Sequence, residues 1–299
     1  MVAIIIHGGA WDIPVAEHAP HLQGVSAAAS AGHDLLRRGY SALSAVEEAV
    51  RLLESSSVFD AGAGSVLNAD GEIEMDAAIM DGATLGFGAV AAIKEVAHPV
   101  SVARLVMEGS KHCLLCGEGA LRFARAAGAE MRGAPPSLRE MDRLRRIRGI
   151  KDYEQRSAFE EGPHGTVGAV AIDEEGHIAA ATSTGGTPGK LPGRVGDTPM
   201  IGCGTYADDA SAGVSATGFG ESLMKVTMAR RVCEGIESGL PLRKAAGAAL
   251  ERLQHRVNGL GGVIAIDFKG ELCHAFNTPY MARASIDRHG VLIASIGKD

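Results

Sequence analysis

The chain has 299 residues, of which 46% are hydrophobic and 22% charged, so an intrinsically disordered protein is excluded. Its 40 glycines follow no three-residue period, which excludes collagen, and its net charge of −7 disfavours general binding to nucleic acids or anionic membranes. The odd count of five cysteines argues against a disulfide framework, and neither a signal peptide nor a membrane-spanning run is evident, so we expect a cytoplasmic protein.

The first half of the chain mixes short apolar runs with helical periodicity. An apolar run at 2–6 predicts a buried strand that ends at His7-Gly8-Gly9. Behind Ser41, a suitable N-cap, apolar residues recur at helical spacing from Leu43 to Leu53. In chain order the predicted elements are a strand at 2–6, helices at 22–38 and from Ser41, a glycine-rich stretch at 59–65, strands at 72–79 and 85–93, a helix after Pro99, a strand at 112–115 and a helix at 117–127.

A charged segment then separates the two halves of the chain. Between Ala134 and Pro163, 13 of 30 residues are charged, and prolines stand at both ends. We interpret residues 130–165 as a mobile linker. Its arginine cluster between Arg143 and Arg148 suggests a nucleic-acid patch, but the interspersed acidic residues favour a solvated segment.

The second half predicts two strand–turn–strand hairpins with a pair of helices between them. Each turn opens with Asp and closes with Gly, as a type I turn prefers. Antiparallel hairpins with flanking helices indicate an α+β fold in which helices cover sheets that stack face to face, rather than a doubly wound parallel sheet. The paired strands are 167–172 with 177–182 and 263–266 with 271–276, and the helices are 220–237 and 241–256.

Three glycine-rich segments and one cysteine pair carry little weight as ligand motifs. Two of the segments match the dinucleotide fingerprint without clearly opening a helix after a strand, and the third lacks the first Gly and the final Ser/Thr of a phosphate loop. Cys113 and Cys116 have no second cysteine pair with which to bind zinc, so we predict that they are buried apolar residues. The glycine-rich segments are Gly202–Ala207, Gly86–Ala91 and Gly185–Leu191.

The strongest chemical signal is His164-Gly165-Thr166-Val167-Gly168, where the charged segment meets an apolar strand. An isolated threonine at such a place is most simply a strand residue. Two further hydroxyl clusters raise its significance, because Thr182-Ser183-Thr184 ends the partner strand and Ser215-Ala216-Thr217 ends another strand before a helix. Gly165 also gives the peptide before Thr166 unusual backbone freedom.

Cleavage of the chain before Thr166 would turn this residue into its own base. A threonine hydroxyl is a poor nucleophile until a base removes its proton. The freed α-amine, with a reference pKa of about 7.7–8.0, supplies that base without a His–Asp relay. Because an amide nitrogen cannot act as a base, the same hydroxyl must first attack the carbonyl of Gly165 and cut its own chain.

Segments distributed along the chain carry a family resemblance: His7–Trp11, Phe59–Gly62, Met75–Gly82, His164–Thr166, Ser183–Gly186, Gly193–Asp197 and Thr217–Gly220. Through them the sequence resembles the plant-type asparaginases and isoaspartyl peptidases, which are N-terminal-nucleophile hydrolases. The resemblance implies a four-layer αββα sandwich, autoproteolysis into an α portion (1–165) and a β portion (166–299), and a dimer of such heterodimers. It also implies hydrolysis of L-asparagine and β-aspartyl dipeptides with no organic cofactor.

The resemblance implies a role for each matched residue. Thr166 is the implied nucleophile, and Thr184 is implied to hydrogen-bond its hydroxyl and amine. Thr217 and Gly218 are implied to form the oxyanion hole, where removing one donor typically costs about 10²–10³ in rate. The implied substrate-binding residues are Arg194 for the α-carboxylate, Asp197 for the α-ammonium, Gly220, Thr217 and Gly218. The plain alternative for Arg194 and Asp197 is a surface ion pair.

The glycine-rich stretch also resembles the sodium-binding loop of the family. Backbone carbonyls suit a hard cation but leave little sequence signature, and an ordinary glycine turn is the alternative. The implied ligands of a structural sodium ion are the carbonyls of Leu53, Glu54, Ser56, Phe59, Ala61 and Ala63.

Asp60 departs from the family pattern, which usually has Asn at this position. An ionised Asp cannot donate a hydrogen bond as Asn does, and its charge favours the protonated amine of Thr166 and opposes a developing oxyanion. We therefore hypothesise that Asp60, as a member of the catalytic set, slows maturation or turnover, or moves the pH optimum upward.

The sequence leaves two alternative functions open. An uncleaved, catalytically weak protein that binds aspartate-like ligands is compatible with Asp60. A glycosylasparaginase-like activity is the nearer enzymatic alternative, but that branch typically carries Asp immediately before the nucleophile, where this chain has Gly165.

Overall fold

The structure is a computed structural model that describes residues 2–133, 135–150 and 165–298. The strands are β1 (Ala3–Trp11), β2 (Met75–Asp81), β3 (Phe87–Ile93), β4 (Leu114–Cys116), β5 (Val167–Ile172), β6 (Ile178–Thr184), β7 (Thr205–Ala207), β8 (Ala212–Gly218), β9 (Gly261–Asp267), β10 (Leu272–Phe276), β11 (Tyr280–Ile286) and β12 (Leu292–Ser295). The helices are α1 (Val15–Arg37), α2 (Ala42–Glu54), α3 (Pro99–Gly109), α4 (Gly117–Ala126), α5 (Leu138–Arg148), α6 (Gly220–Val226), α7 (Met228–Glu237) and α8 (Leu242–Val257), with a 3₁₀ turn at Gly62–Gly64.

The strands of the described residues form two sheets. The larger has the order β12-β11-β1-β5-β6-β2-β3-β4 and is antiparallel except where β4 joins β3. The smaller has the order β10-β9-β8-β7 and is antiparallel throughout. The hairpins predicted from the sequence are β5 with β6 and β9 with β10.

Strand β1 shows how the layers form, because successive side chains of a strand point to opposite faces. Ile4 and Ile6 belong to an apolar cluster shared with α1, α2 and α3, whereas Ala3 and Ile5 belong to a cluster shared with β9 of the smaller sheet. A third cluster joins the smaller sheet to α7 and α8. The layers therefore follow the order helix–sheet–sheet–helix, which confirms the predicted αββα sandwich.

Most predicted elements are present with shifted ends. Ser41 caps α2 as predicted, since its hydroxyl accepts a hydrogen bond from Ser44 N at 3.3 Å. Helix α1 begins at Val15 rather than at 22 and contains Pro20. The helix predicted at 220–237 is two helices, because Thr227 adopts a left-handed conformation with φ of 51°. Strands β7, β11 and β12 have no counterpart among the predicted elements.

Helix α5 lies within the charged segment that we interpreted as a linker. Ser137 caps it, and Glu140, Arg143 and Leu144 lie at helical spacing with at most 8% of each exposed. Arg143 Nη1 donates to Glu140 Oε2 at 2.9 Å, so the two buried charges neutralise each other. This part of the segment is therefore an amphipathic helix whose charged residues are only partly solvated. The remainder of the predicted linker, 151–164, lies outside the described residues.

Two of the three glycine-rich motifs lead into strands, and the third, Gly185–Leu191, lies in the loop after β6. Gly86–Ala91 leads into β3, and Gly202–Ala207 leads into β7, so neither has the strand–turn–helix context of a dinucleotide site. In the parts of the chain that the structure describes, no helix is long and apolar enough to cross a bilayer.

Candidate active site

Thr166 lies immediately before β5, at the centre of the larger sheet. Its hydroxyl donates to Thr184 Oγ1, the last residue of the neighbouring β6, at 3.2 Å. Thr184 Oγ1 also accepts from Gly186 N at 3.0 Å, so the turn that follows β6 fixes its position. The structure thus brings together the two threonines that the sequence predicted as partners. His164, which the sequence motif includes, lies outside the described residues.

Thr217 and Gly218 end β8 in the smaller sheet, opposite the end of β6. Two residues earlier on each strand, Thr182 Oγ1 and Ser215 Oγ approach within 2.7 Å across the gap between the sheets. Because side chains two residues apart share a strand face, Thr217 faces the same gap as Thr184. The larger sheet therefore brings the predicted nucleophile, and the smaller sheet brings the predicted oxyanion hole.

Arg194 and Asp197 lie on the loop between β6 and β7 and meet the start of α6. A Cβ atom on Gly220 would lie 2.9 Å from Arg194 Nη2 and 3.0 Å from Asp197 Oδ1, so these three predicted substrate residues are immediate neighbours. Only a residue without a side chain leaves room for both groups. They are not a surface ion pair, because the side chain of Arg194 is 12% exposed and Asp197 is 4% exposed.

Glu221 is a site residue that the sequence motifs did not reveal. Its carboxylate accepts from Arg194 Nε at 2.9 Å and from Arg194 Nη2 at 2.8 Å, a bidentate pair. Burial opposes the charge of Arg194, but the hydrogen bond and charge of Glu221 outweigh it and raise the pKa of Arg194. Glu221 holds one edge of the guanidinium, which leaves Nη1 and the outer N–H of Nη2 to bind a ligand carboxylate.

One carboxyl oxygen of Asp197 is unpaired among the described residues. Its Oδ2 is buried and has no hydrogen-bond partner in the described residues. Burial raises the pKa of Asp197 to about 7, although the charge of Arg194 acts in the opposite direction. Buried polar atoms are almost always paired, so an unpaired carboxyl oxygen beside a cation is a suitable place for an incoming ammonium group.

Asp60 lies beside the predicted cleavage point. It lines a small cavity together with Gly165, Trp11 and Arg143, and its carbonyl accepts from Gly185 N at 2.9 Å. Asp60 Oδ1 accepts from the backbone N–H of Val66 at 2.9 Å, whereas Oδ2 has no partner among the described residues. Burial raises the pKa of Asp60 to about 7, so its carboxyl exchanges a proton near neutral pH.

Two buried residues that the sequence did not single out organise the loop around this site. Lys190 is 0% exposed, and its Nζ donates to the carbonyl of Glu74 at 2.7 Å. Asp76 accepts from Gly196 N at 3.0 Å and so anchors the loop that carries Arg194. Burial lowers the pKa of Lys190, while the charge of Asp76 opposes that shift. Their signal in the sequence is weak, because a lone Lys or Asp is normally a solvated residue.

The predicted sodium loop curls tightly at the end of α2. Gly62 adopts a φ of +52°, and a Cβ atom there would collide with the carbonyl of Glu54, so this carbonyl faces the inside of the curl. Arg132 Nη2 donates to the carbonyl of Ala63 at 3.2 Å, which places a cationic group against one of the six expected ligands. The carbonyl donors suit a hard cation, and the fit is weakest at Ala63.

Comparison with known proteins places these features in one family. Residues 1–294 match the family model described as Asparaginase. A Xenopus laevis protein named isoaspartyl peptidase/L-asparaginase is 47% identical over 283 residues, which cover 95% of this chain and 91% of that protein. A Danio rerio protein of the same name is 45% identical over 94% of this chain and 91% of its own. A Pyrococcus abyssi protein named plant-type L-asparaginase is 46% identical over 95% of this chain and 96% of its own.

Proposed function

The chain belongs to the asparaginase family, and from this premise we propose that it hydrolyses L-asparagine and β-aspartyl dipeptides through an ester on Thr166. The observation that carries the proposal is the contact between the hydroxyls of Thr166 and Thr184 at 3.2 Å, since Arg194 and the unpaired Oδ2 of Asp197 lie on the loop that follows Thr184. A nucleophile beside a site for an amino acid's two charged groups is what aspartyl transfer requires.

Maturation is the first step of the proposed chemistry. Thr166 Oγ1 attacks the carbonyl carbon of Gly165, the C–N bond before Thr166 breaks, and its nitrogen takes up a proton to become the α-amine. Water then hydrolyses the resulting ester and restores the hydroxyl. Thr166 finally carries both the nucleophile and, in the unprotonated amine, the base that activates it.

Turnover uses the same hydroxyl on the substrate. Thr166 Oγ1 attacks the side-chain amide carbon while its proton passes to the α-amine, which then protonates the departing ammonia or amino acid. Thr217 hydroxyl and Gly218 N–H stabilise the negative charge on the carbonyl oxygen. Water hydrolyses the aspartyl ester and releases aspartate. Arg194 and Asp197 hold the α-carboxylate and the α-ammonium throughout, and Gly220 leaves room for both.

Thr166→Ala is expected to abolish both maturation and turnover. The wild-type protein should give two bands on a denaturing gel, near half of 30.8 kDa each, with Thr166 as the first residue of the smaller one. The variant should remain a single band and release no aspartate from L-asparagine or β-aspartyl-leucine. Wild-type protein that stays uncleaved and still turns over at full rate would contradict the proposed mechanism.

The same proposal includes a structural sodium ion on the loop after α2. When bound, the ion would hold the carbonyls of Leu53, Glu54, Ser56, Phe59, Ala61 and Ala63 and would take no part in the reaction. A cation that binds only the folded state stabilises it. Replacing sodium by choline at equal ionic strength is therefore expected to lower the melting temperature by a few degrees. Gly62→Ala, which crowds the carbonyl of Glu54, should remove this difference, and equal melting temperatures of the wild type in both salts would reject the site.

Assembly and location complete the proposal. Family membership supports a dimer of α–β heterodimers, for which light scattering should give twice the 30.8 kDa of one chain. The five cysteines of the described residues are free thiols, which is compatible with a cytoplasmic protein. Cys113 and Cys116 are exposed, so the prediction that they are buried is wrong.

A second candidate function is binding of aspartate-like ligands without cleavage, and Asp60 is the observation that favours it. The two functions differ in one measurement. If the protein only binds ligands, the wild type stays one polypeptide and binds L-aspartate with the affinity that the Thr166→Ala variant shows. If it is the proposed enzyme, the wild type matures and consumes L-asparagine. A glycosylasparaginase-like activity would show as hydrolysis of glycosylated asparagine, which the glycine at 165 disfavours.

A further inference from the structure

A buried chain of hydrogen bonds crosses from the larger sheet to the smaller one beside the candidate active site. Its members are His7, Thr182, Thr205 and Ser215, each 0% exposed. His7 Nε2 lies 2.9 Å from Ser215 Oγ, and Ser215 Oγ lies 2.7 Å from Thr182 Oγ1. Thr205 Oγ1 donates to Thr182 Oγ1 at 2.7 Å. We call these four residues the inter-sheet network.

The partners of the network allow a consistent placement of its protons. Burial lowers the pKa of His7 to about 3, so its imidazole is neutral. His7 Nδ1 accepts from Gly9 N at 3.4 Å, and we therefore assign the ring proton to Nε2, which donates to Ser215. Ser215 then donates to Thr182, and Thr182 donates to the carbonyl of Gly204 at 3.4 Å. Fully satisfied buried networks of this kind favour a single arrangement of the groups that they join.

The network lies directly behind the ends of the two strands that carry the predicted threonines. Thr182 precedes Thr184 by two residues on β6, and Ser215 precedes Thr217 by two residues on β8. With a strand period of two, each network residue shares a face with the site residue that follows it. The hydrogen bond between Thr182 and Ser215 therefore sets the distance between β6 and β8 two residues before Thr184 and Thr217.

The two ends of the network reach the nucleophile and the substrate loop. At one end, His7 on β1 pairs with Gly168 on β5, two residues after Thr166. At the other end, Thr205 Oγ1 lies 3.2 Å from the carbonyl of Thr198, the residue after Asp197. The network thus connects the strands or loops that carry the nucleophile, its threonine partner, the oxyanion hole and the predicted ammonium site.

Gly168 shows that the sequence leaves space for this network. It pairs with His7 on β1 and with Thr182 on β6. A Cβ atom on Gly168 would collide with Ser215 Oγ and lie 2.5 Å from His7 Nε2. Any side chain at 168 would therefore separate the imidazole from the serine hydroxyl.

We propose that the inter-sheet network is a positioning device that holds the nucleophile of the larger sheet in register with the oxyanion hole of the smaller sheet. This inference rests on the proposed function. Its members are positioning residues, since they act through the strands that they join and not on the substrate. Misplacing reacting groups by about 1 Å can cost on the order of 10²-fold in rate, so a network that sets strand separation has a measurable role.

The test removes one hydroxyl from the middle of the network and compares it with a matched hydroxyl outside it. Thr182→Val keeps the shape of the side chain and is expected to lower kcat by about 10–10²-fold with KM changed less than about threefold. Thr182→Ser keeps the hydroxyl and should restore kcat to within about threefold of the wild type. Ser183→Ala removes an equally buried hydroxyl from the opposite face of β6 and should leave kcat unchanged.

A second variant tests whether the network acts as a unit. Ser215→Ala should resemble Thr182→Val, and the double variant should lose no more than the larger single loss. Failure of Thr182→Val to mature, while Ser183→Ala matures, also supports the inference, since maturation needs the same geometry. A wild-type kcat in matured Thr182→Val, or equal losses in Ser183→Ala, would overturn it. If the wild type itself releases no aspartate, the proposed function fails instead.

Discussion

Asp60→Asn is expected to accelerate turnover by a factor that grows with pH. Asp60 has a pKa of about 7, so at pH 7 about half of the molecules carry a protonated carboxyl that can donate a hydrogen bond as Asn does. At pH 8.5 only about 3% remain protonated. If the protonated form is the productive one, the variant should exceed the wild type by about twofold at pH 7 and by about 30-fold at pH 8.5.

The ascending limb of the pH profile should move as well. An ionised carboxylate near Thr166 favours the protonated amine and therefore raises the pKa at which the base becomes available. Removing that charge is expected to shift the ascending limb of kcat/KM to lower pH, while the descending limb disappears. The wild type should accordingly show a narrow bell and the variant a broad plateau, measured with β-aspartyl-leucine across pH 5–9.5. Maturation half-times of freshly folded protein should follow the same order.

Stability provides an independent check on the same carboxyl. Because burial raises the pKa of Asp60 above its usual value, the folded state binds more protons than the unfolded state between about pH 4 and pH 7. The free energy of unfolding therefore falls as pH rises through that window, and Asp197 acts in the same direction. The difference in melting temperature between Asp60→Asn and the wild type should grow from pH 4 to pH 7 and then level off. If the melting temperatures of the variant and the wild type change in parallel with pH, and the pH–rate profiles are also unchanged, Asp60 does not titrate near neutral pH.

Local sequence pattern predicts the parts of the site that lie at the ends of elements. Thr166, Thr184 and Thr217 were recognisable because each stands where an apolar strand meets a glycine-containing turn. The structure adds that the strands bearing Thr184 and Thr217 belong to different sheets and face each other across the gap between them. No local sequence pattern predicts this arrangement. The implied roles of these residues stay predictions until they are measured.

Sequence patterns do not predict the contacts that support the site, and the reason is physical. His7 and Ser215 are separated by 208 positions in the chain, and Gly196 and Asp76 by 120. Such pairs arise from the packing of distant strands, so helical or strand periodicity carries no information about them. Charge patterning also misleads in α5, because Glu140 and Arg143 look solvated in the sequence, whereas the structure shows them buried and paired with each other.

Arg194→Lys is expected to lower kcat/KM by about 10²–10³-fold while leaving maturation intact. The loss corresponds to the roughly 3–4 kcal/mol typical of removing one partner from a buried charge pair. Lys presents a single ammonium group and cannot offer one edge to Glu221 and another to a substrate carboxylate. Maturation involves no α-carboxylate, so the two-band pattern should be unchanged. Glu221→Gln should raise KM less, since the guanidinium remains but is held more loosely.

The chain offers a matched control for this substitution. Arg230 on α7 also makes a bidentate contact with a glutamate, through Nη1 and Nη2 to Glu237 at 3.0 and 2.8 Å. Arg230→Lys therefore removes a bidentate arginine–glutamate contact outside the site, and its kcat/KM should stay within about twofold of the wild type, as expected where surface ion pairs contribute little. Because both substitutions remove one fork, a loss confined to Arg194→Lys assigns the effect to the substrate and not to the fold. Near-wild-type kcat/KM in matured Arg194→Lys would place the carboxylate-binding group elsewhere in the molecule.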